Sequence, residues 1–119
     1  MKILFRESHE WVAIEGKTAK VGISDHAQKE LGDLVFINLP EVGAELTAGD
    51  TLCDVESVKA VSDLYAPVSG KVVKVNEELE GAPELINQDA MSAWICEIEV
   101  TEVPEDLMDE AAYENFIKG

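Results

Sequence analysis

The sequence predicts a small, mainly β protein, a sandwich or barrel with a short helix near residues 25–31 and a second helix at its C-terminal end. Three observations predict it. Short runs of alternating apolar and polar residues recur along the chain, separated by Gly, Pro and Asp turn signals. Two stretches instead read as helix, one around Asp25 and one after Pro104. At 119 residues the chain can bury most of its apolar side chains without disulfides or metals, so one domain over residues 1–119 is expected.

Taken in order, Met1 to Glu7 is too short and too soon charged for a signal peptide, and no stretch approaches the ~20 apolar residues of a membrane span. Trp11 to Ile23 reads as two strands joined at Glu15-Gly16-Lys17, a hairpin. Ser24 to Gly32 has room for about two turns of helix. Asp25 and Gln28 stand at capping-box spacing, Ser24 is an alternative cap, and Gly32 lies just past the end. Leu34 to Leu39 is the next strand. Turns at Pro40–Gly43 and Ala48-Gly49-Asp50 then lead into a hairpin over about residues 51–66, whose arms are Thr51–Glu56 and Val61–Tyr65. Gly49 and Gly70 flank its tip almost evenly, a weak sign of two similar halves. Gly70–Asn76 and Trp94–Val100 supply the last strands. Beyond Pro104, which can open a helical turn, Leu107, Met108, Ala111, Ala112 and Phe116 fall near helical spacing. Residues 104–118 are therefore expected to dock as a helix, with an acidic interaction tail as the alternative.

Nine Lys and Arg stand against 25 Asp and Glu, a formal net charge of -16. Such a chain repels nucleic acid and anionic membrane surfaces, which excludes both as partners. It is steered instead toward basic patches on other proteins, although a solvated acidic surface is the plainer reading. Cys53 and Cys96 lie in apolar strand-like runs and read as reduced core residues, with a disulfide left open by arithmetic. Neither cysteine stands at metal-ligand spacing with His9 or His26, and no phosphate cradle, zinc-protease helix or nucleophile elbow is present. No metal and no catalytic residue is expected, and His26 reads as a surface residue. The expected location is the bacterial cytoplasm, or an organellar matrix for a processed form.

One lysine stands out. Lys59 lies in Glu56-Ser57-Val58-Lys59-Ala60, where the hairpin must reverse without Gly, Pro or Asn. That argues against a primed two-residue turn and for a type I turn, with Lys59 at an exposed tip. Asp54, Glu56 and Asp63 stand close in sequence and favour the ammonium form, the opposite of what a nucleophilic or Schiff-base lysine needs. On the residues alone two readings stay open. Lys59 is a solvating charge, or it is acylated by another enzyme, which replaces the charge with a long neutral arm.

Five blocks resolve the choice: Ser8-His9-Glu10-Trp11, Gly22-Ile23-Ser24-Asp25-His26-Ala27-Gln28, Val55-Glu56-Ser57-Val58-Lys59-Ala60, Ala66-Pro67-Val68-Ser69-Gly70 and Pro83-Glu84-Leu85-Ile86-Asn87. Together, in this order and over nearly the whole chain, they resemble the H-protein of the glycine cleavage system. The resemblance implies a barrel-sandwich hybrid of the kind shared by lipoyl and biotinyl carriers, with lipoate in amide linkage on Lys59. It places Ser8, Glu10 and Asp63 along a cleft that receives the arm. The loaded arm ends in an amine, cationic at neutral pH, which carboxylates there would hold.

The resemblance also implies a carrier rather than a catalyst, since the cofactor does the covalent work. Its partners would be a pyridoxal-phosphate glycine decarboxylase, a folate-dependent aminomethyltransferase and the flavin enzyme dihydrolipoyl dehydrogenase. A lipoyl ligase or lipoyl/octanoyl transferase would attach the arm. The alternatives are a lipoyl relay protein that donates lipoate to other enzymes, a lipoyl domain of a 2-oxo acid dehydrogenase, and an unmodified acidic scaffold. Lipoyl domains of that kind often place Asp before the lysine and lack the first two blocks. Biotin carriers usually flank the lysine with Met, unlike Val58 and Ala60. The chain departs from the family in two places. Residues Gln88–Trp94 lack the usual Pro-Tyr-Gly-x-Gly before the Trp, with Ala93 at a position where Gly would allow positive φ. Glu30 stands where some relatives have His.

Overall fold

The computed structural model describes residues 1–118. Its strands are β1 (Lys2–Phe5), β2 (Glu10–Glu15), β3 (Thr18–Ile23), β4 (Leu34–Asn38), β5 (Glu45–Leu46), β6 (Thr51–Ser57), β7 (Val61–Tyr65), β8 (Ser69–Val75) and β9 (Cys96–Glu102). Four helices join them: α1 (Asp25–Leu31), α2 (Glu78–Gly81), α3 (Glu84–Gln88) and α4 (Glu110–Lys118). The strands form two antiparallel sheets, a six-stranded one in the order β1-β2-β3-β9-β8-β5 and a three-stranded one in the order β4-β6-β7.

The period-2 pattern read from the sequence is what builds both faces. In the large sheet Val12 lies opposite Val21, and Val72 opposite Ile98, all four fully buried. From the small sheet Ile37, Val55 and Leu64 enter the same core. Leu79 of α2 and Ile86 of α3 close it from the side. Each such side chain contributes about 1.5–3 kcal/mol on full burial. Both cysteines are buried and unpaired in this core, as expected. Burial pushes the Cys53 thiol up and that of Cys96 to about 12, so neither is a thiolate at neutral pH. A second, smaller cluster of Phe5, Trp11, Ala13 and Tyr113 forms where α4 covers one end of the large sheet's outer face.

The mainly β architecture with a short helix and a C-terminal helix matches the expectation, and the details that differ have local causes. Ser24, not Asp25, caps α1: its backbone is extended and its Oγ accepts the Ala27 N–H at 3.1 Å. Asp25 sits inside the first turn, accepting from Gln28 Nε2 at 2.9 Å and pairing with Lys29 at 3.1 Å. The C-terminal helix begins at Glu110 rather than near Pro104. Met108 exchanges two backbone hydrogen bonds with Phe5, at 2.7 and 2.8 Å, an isolated bridge that keeps Met108 out of a helix. Asp109 then accepts the Ala112 N–H at 2.8 Å and starts the helix. β1, α2 and α3 were not expected, and β9 starts two residues later than the Trp94 of the sequence reading. Among the described residues no helix is long and apolar enough to cross a membrane.

Candidate functional site

Lys59 lies at the tip of the β6–β7 hairpin and is exposed. The reversal is made by a hydroxyl. Ser57 N–H donates to the Ala60 carbonyl at 2.8 Å, but the return bond is taken by the Ser57 side chain, whose Oγ accepts from Lys59 N–H at 3.1 Å and Ala60 N–H at 3.2 Å. Of the non-glycine residues only His9 has positive φ, which rules out a primed turn here. A side-chain acceptor thus does what a turn glycine does elsewhere.

The tip is braced from one side by the loop between α1 and β4. Val58 N–H donates to Asp33 O at 3.0 Å. Gly32, with φ 81 and ψ -163, occupies backbone space essentially reserved for glycine. A Cβ there would stand 3.3 Å from Lys59 Cε, because the lysine side chain runs across it. Asn87 of α3 fixes this loop, donating to Gly32 O and Gln28 Oε1 at 3.0 Å each and accepting the Leu34 N–H at 2.8 Å. The lysine therefore projects from a rigid platform, and its Nζ makes no hydrogen bond or ion pair among the described residues.

At the base of the hairpin, Arg6 to Glu10 forms a tight turn between β1 and β2, closed by Arg6 N–H to Glu10 O at 2.9 Å and His9 N–H to Arg6 O at 2.8 Å. Arg6 donates to Ser8 Oγ, and Ser8 donates to Glu10 Oε1. Glu10 Oε2 accepts the Tyr65 N–H at 2.9 Å. β7 is an edge strand, so this carboxylate satisfies an edge donor that no neighbouring strand can reach. Glu10 is only 1% exposed; its burial raises the carboxyl above the usual range, partly offset by the bonds from Ser8 and Tyr65 and by Arg6. Arg6 also lies over the Tyr65 ring at 5.4 Å.

The structure thus joins Ser8 and Glu10 directly and ties both to β7, while Asp63, two residues before Tyr65, is exposed and hydrogen-bonded to neither. Asp63 belongs to the outer face of the small sheet. Phe36, Glu56 and Val61 form one cross-strand row there, and Asn38, Asp54 and Asp63 the next. Phe36 is 46% exposed and Val61 62%, and Val58 beside the lysine is 65% exposed. Lys59 is thus ringed by exposed apolar groups and carboxylates.

Nearly the whole chain is similar to known proteins. The family model for the glycine cleavage H-protein matches residues 3–119. The chain belongs to the H-protein family. A glycine cleavage system H protein of Acidobacterium capsulatum is 55% identical over 116 residues, covering 96% of this chain and 90% of that protein. A probable glycine cleavage system H protein of Pyrococcus horikoshii is 52% identical over 120 residues, covering 98% and 90%. The crystal structure of a glycine cleavage system H protein from Mycobacterium marinum superposes with a TM-score of 0.92 at 37% identity, covering 99% of this chain and 98% of that one. H-proteins are carriers and not enzymes, so the chain shuttles a group rather than transforming it.

The two departures from other H-proteins have local explanations. The 89–93 loop closes with Ser92 and Ala93 N–H groups on Asp89 O, at 3.2 and 3.0 Å, and Ala93 needs no positive φ. Trp11 Nε1 donates to Ala90 O at 3.1 Å and holds the loop down. Glu30 pairs with His26 at 3.5 Å on the same face of α1. Sequence reasoning missed Arg6, Ser57 and Tyr113. Ser57, two residues before Lys59 in a turn without glycine, carried a usable signal as a side-chain acceptor; Tyr113 acts through His9 and Ser24, far away in the sequence, and carried none, while Arg6 acts on Ser8 only because the turn folds back on itself.

Proposed function

We propose that Lys59 is the attachment point of lipoate, and that the chain carries the aminomethyl group of glycine on that arm within the glycine cleavage system. The observation that carries this reading is an exposed lysine, Nζ without a partner among the described residues, on a hairpin tip that is itself held rigid by Ser57, Asp33 and Asn87. A modifying enzyme reaches such a nitrogen without unfolding anything. The bound group supplies a dithiol at the end of a long flexible tether; the chain supplies the anchor, the wall and the charge. Ser8 presents a hydroxyl from the turn that Glu10 pins to β7, and Asp63 presents an exposed carboxylate from the same strand. A cationic amine brought to these groups meets an anion.

The partners in this reading are the decarboxylase, the aminomethyltransferase and dihydrolipoyl dehydrogenase of the system, together with the lipoyl ligase or transferase that modifies Lys59. The exposed Val58, Val61 and Phe36 around the lysine suit close insertion of the tip into those enzymes. The relatives are bacterial and archaeal, in keeping with action in the cytoplasm.

The test is peptide mapping of residues 51–71 from protein made in lipoate-replete cells, with Lys59→Arg as control. A lipoyl increment on Lys59, absent from the variant, is the expected result; an unmodified Lys59 would sink the reading. A reconstituted glycine decarboxylation assay then separates the carrier from a lipoyl relay, since only the carrier supports it.

A further inference from the structure

We propose that Tyr113, reaching from α4, is a positioning residue for the arm cleft: through His9 it holds the Arg6–Glu10 turn that forms one wall, so that the C-terminal helix governs how well the loaded arm is shielded. The inference rests on the carrier reading of Lys59 given above.

His9 has φ 80 at the last position of a three-residue hairpin loop, where the chain enters the left-handed region. Glycine is the residue that holds this position without strain, and a histidine there points to a use for the side chain. While Ser8 and Glu10 face the cleft network, the His9 imidazole turns to α1 and α4. Its Nδ1 lies 2.6 Å from Tyr113 Oη, and Tyr113 Oη lies 2.7 Å from Ser24 Oγ. Ser24 Oγ in turn caps α1 by accepting Ala27 N–H, and Ser24 N–H donates to His9 O at 2.9 Å.

Proton accounting fixes the direction of this chain. Ser24 is 2% exposed, and its hydroxyl hydrogen has one acceptor within reach, Tyr113 Oη. If Ser24 donates to Tyr113, then Tyr113 donates to His9 Nδ1, and every group is satisfied. That order requires a neutral His9 carrying its proton on Nε2. Protonation at Nδ1 makes His9 the donor to Tyr113 and leaves one hydroxyl hydrogen, that of Tyr113 or of Ser24, without an acceptor. Burial, with His26 beside it, lowers the His9 imidazole below the ordinary histidine range, and Glu30 offsets part of that. The groups facing His9 are His26, at 4.8 Å between ring centroids, and Glu30 from α1, Tyr113 from α4, and Ser24 at the head of α1. Tyr113 is also the buried residue of α4 and stacks on Phe5 at 4.3 Å, so the helix docks through the ring that carries the hydroxyl.

The experiment compares the lipoylated protein with its Tyr113→Phe variant, which keeps the stacked ring and removes the hydroxyl. The reduced arm is loaded chemically, thiol plus formaldehyde plus ammonia giving the S-aminomethyl group and water. Its lifetime is measured against the same group on free dihydrolipoamide. The variant is expected to lose the group about three to ten times faster, as one hydrogen bond's share of cleft closure disappears. In the wild type the protection is expected to fall in acid, at a pH below the ordinary histidine range, as His9 takes up a proton. A His26→Gln control assigns that step to His9. On the unmodified protein, ring 15N shifts are expected to show His9 protonated on Nε2 at neutral pH. Equal lifetimes in the two proteins, or a proton on Nδ1, would overturn the clamp while leaving the carrier intact. Absence of lipoyl from Lys59 would instead overturn the carrier. If the phenylalanine variant does not fold, the wild-type pH profile decides, and a flat one counts against the clamp.

Discussion

The two sheets treat their outer faces in opposite ways. On the large sheet charges alternate across the strands: Glu97 lies opposite Lys20 on one side and Lys74 on the other, and Lys71 lies between Glu99 and Glu45. The ammonium groups of Lys20 and Lys74 lean over the Trp94 ring at 5.3 and 5.8 Å. On the small sheet Asp54 lies directly opposite Asp63, Glu56 stands in the next row between Phe36 and Val61, and neither row contains a Lys or Arg. Opposite charges across a strand pair stabilise and like charges destabilise by roughly 0.2–1 kcal/mol. One face therefore lowers the free energy of the fold and the other raises it. A chain of net charge -16 has few cations, and it places four of its nine Lys and Arg, Lys2, Lys20, Lys71 and Lys74, on the strands of the sheet away from Lys59. The small sheet keeps its carboxylates and apolar side chains uncompensated where a cationic amine and partner enzymes would meet them.

The sharpest way to break this comparison is to attack each sheet where it depends on backbone geometry. Gly70 in β8 has φ 158, and a Cβ there would lie 2.2 Å from Glu99 O and 2.6 Å from Ile98 Cγ2. Both obstacles belong to the neighbouring strand, one of them backbone, so nothing flexible can give way. Gly70→Ala is expected to cost more than about 3 kcal/mol, within the range of severe core defects, or to prevent folding. Urea denaturation checks it. Lys59→Arg on the small sheet should shift the same curve by less than about 0.5 kcal/mol.

Next in size comes the carboxylate under the cleft. Burial holds the Glu10 carboxyl above its unfolded value. The stability linked to its proton is therefore fully present below the unfolded value and is lost as pH rises through the folded one. Glu10→Gln keeps the shape and removes that loss, so at neutral pH the variant should be more stable by about 1 kcal/mol. The advantage should shrink toward pH 4. A variant less stable than wild type at pH 7 would show that the bonds from Ser8 and Tyr65 outweigh desolvation. If Glu10 serves the proposed arm site, the same substitution should also shorten the lifetime of the loaded arm, a gain of stability at the expense of function.

A smaller effect sits on the exposed row. Asp54→Asn removes one half of the like-charged pair with Asp63 and is expected to stabilise by about 0.5 kcal/mol at low salt. Because Asp63 is exposed and Asp54 only half-buried, most of the gain should vanish as the screening length contracts from about 30 Å at ~0.01 M to about 3 Å at ~1 M. Thermal unfolding at the two salt concentrations tests it. A gain that persists at high salt would mean that packing, and not repulsion, is responsible.

Much of the strand pattern was legible because alternation is local: Val55 lies between Asp54 and Glu56, and Ile98 between Glu97 and Glu99, so each announces its face by the charged residues beside it. The missing pieces are those set by distant partners. β1 exists because Phe5 finds both Trp11 and Met108, and the start of α4 is delayed by that same Met108 bridge. α2 and α3 are one-turn pieces whose single buried residues, Leu79 and Ile86, give no period to read. The site divides in the same way. An exposed lysine in a glycine-free turn can be read from its neighbours. The burial of Glu10 depends on Tyr65, and the strained turn at His9 depends on Tyr113, neither close in the sequence.

The smallest expected effect is the mirror image of the Asp54 variant and completes the contrast. Glu97 in β9 stands between Lys20 and Lys74, so Glu97→Gln deletes a charge that two cations face at once. Neither lysine makes a close ion pair with it, and both keep their contact with Trp94, so the loss should be only about 0.3 kcal/mol at low salt. Its sign must be opposite to that of Asp54→Asn, although each change removes one negative charge from the same acidic chain. If both substitutions stabilised equally, the general repulsion of a net charge of -16 would explain them, and the arrangement of charges on the two sheets would have no bearing. Opposite signs that converge to zero in high salt require the local arrangement, because overall charge cannot tell one surface carboxylate from another.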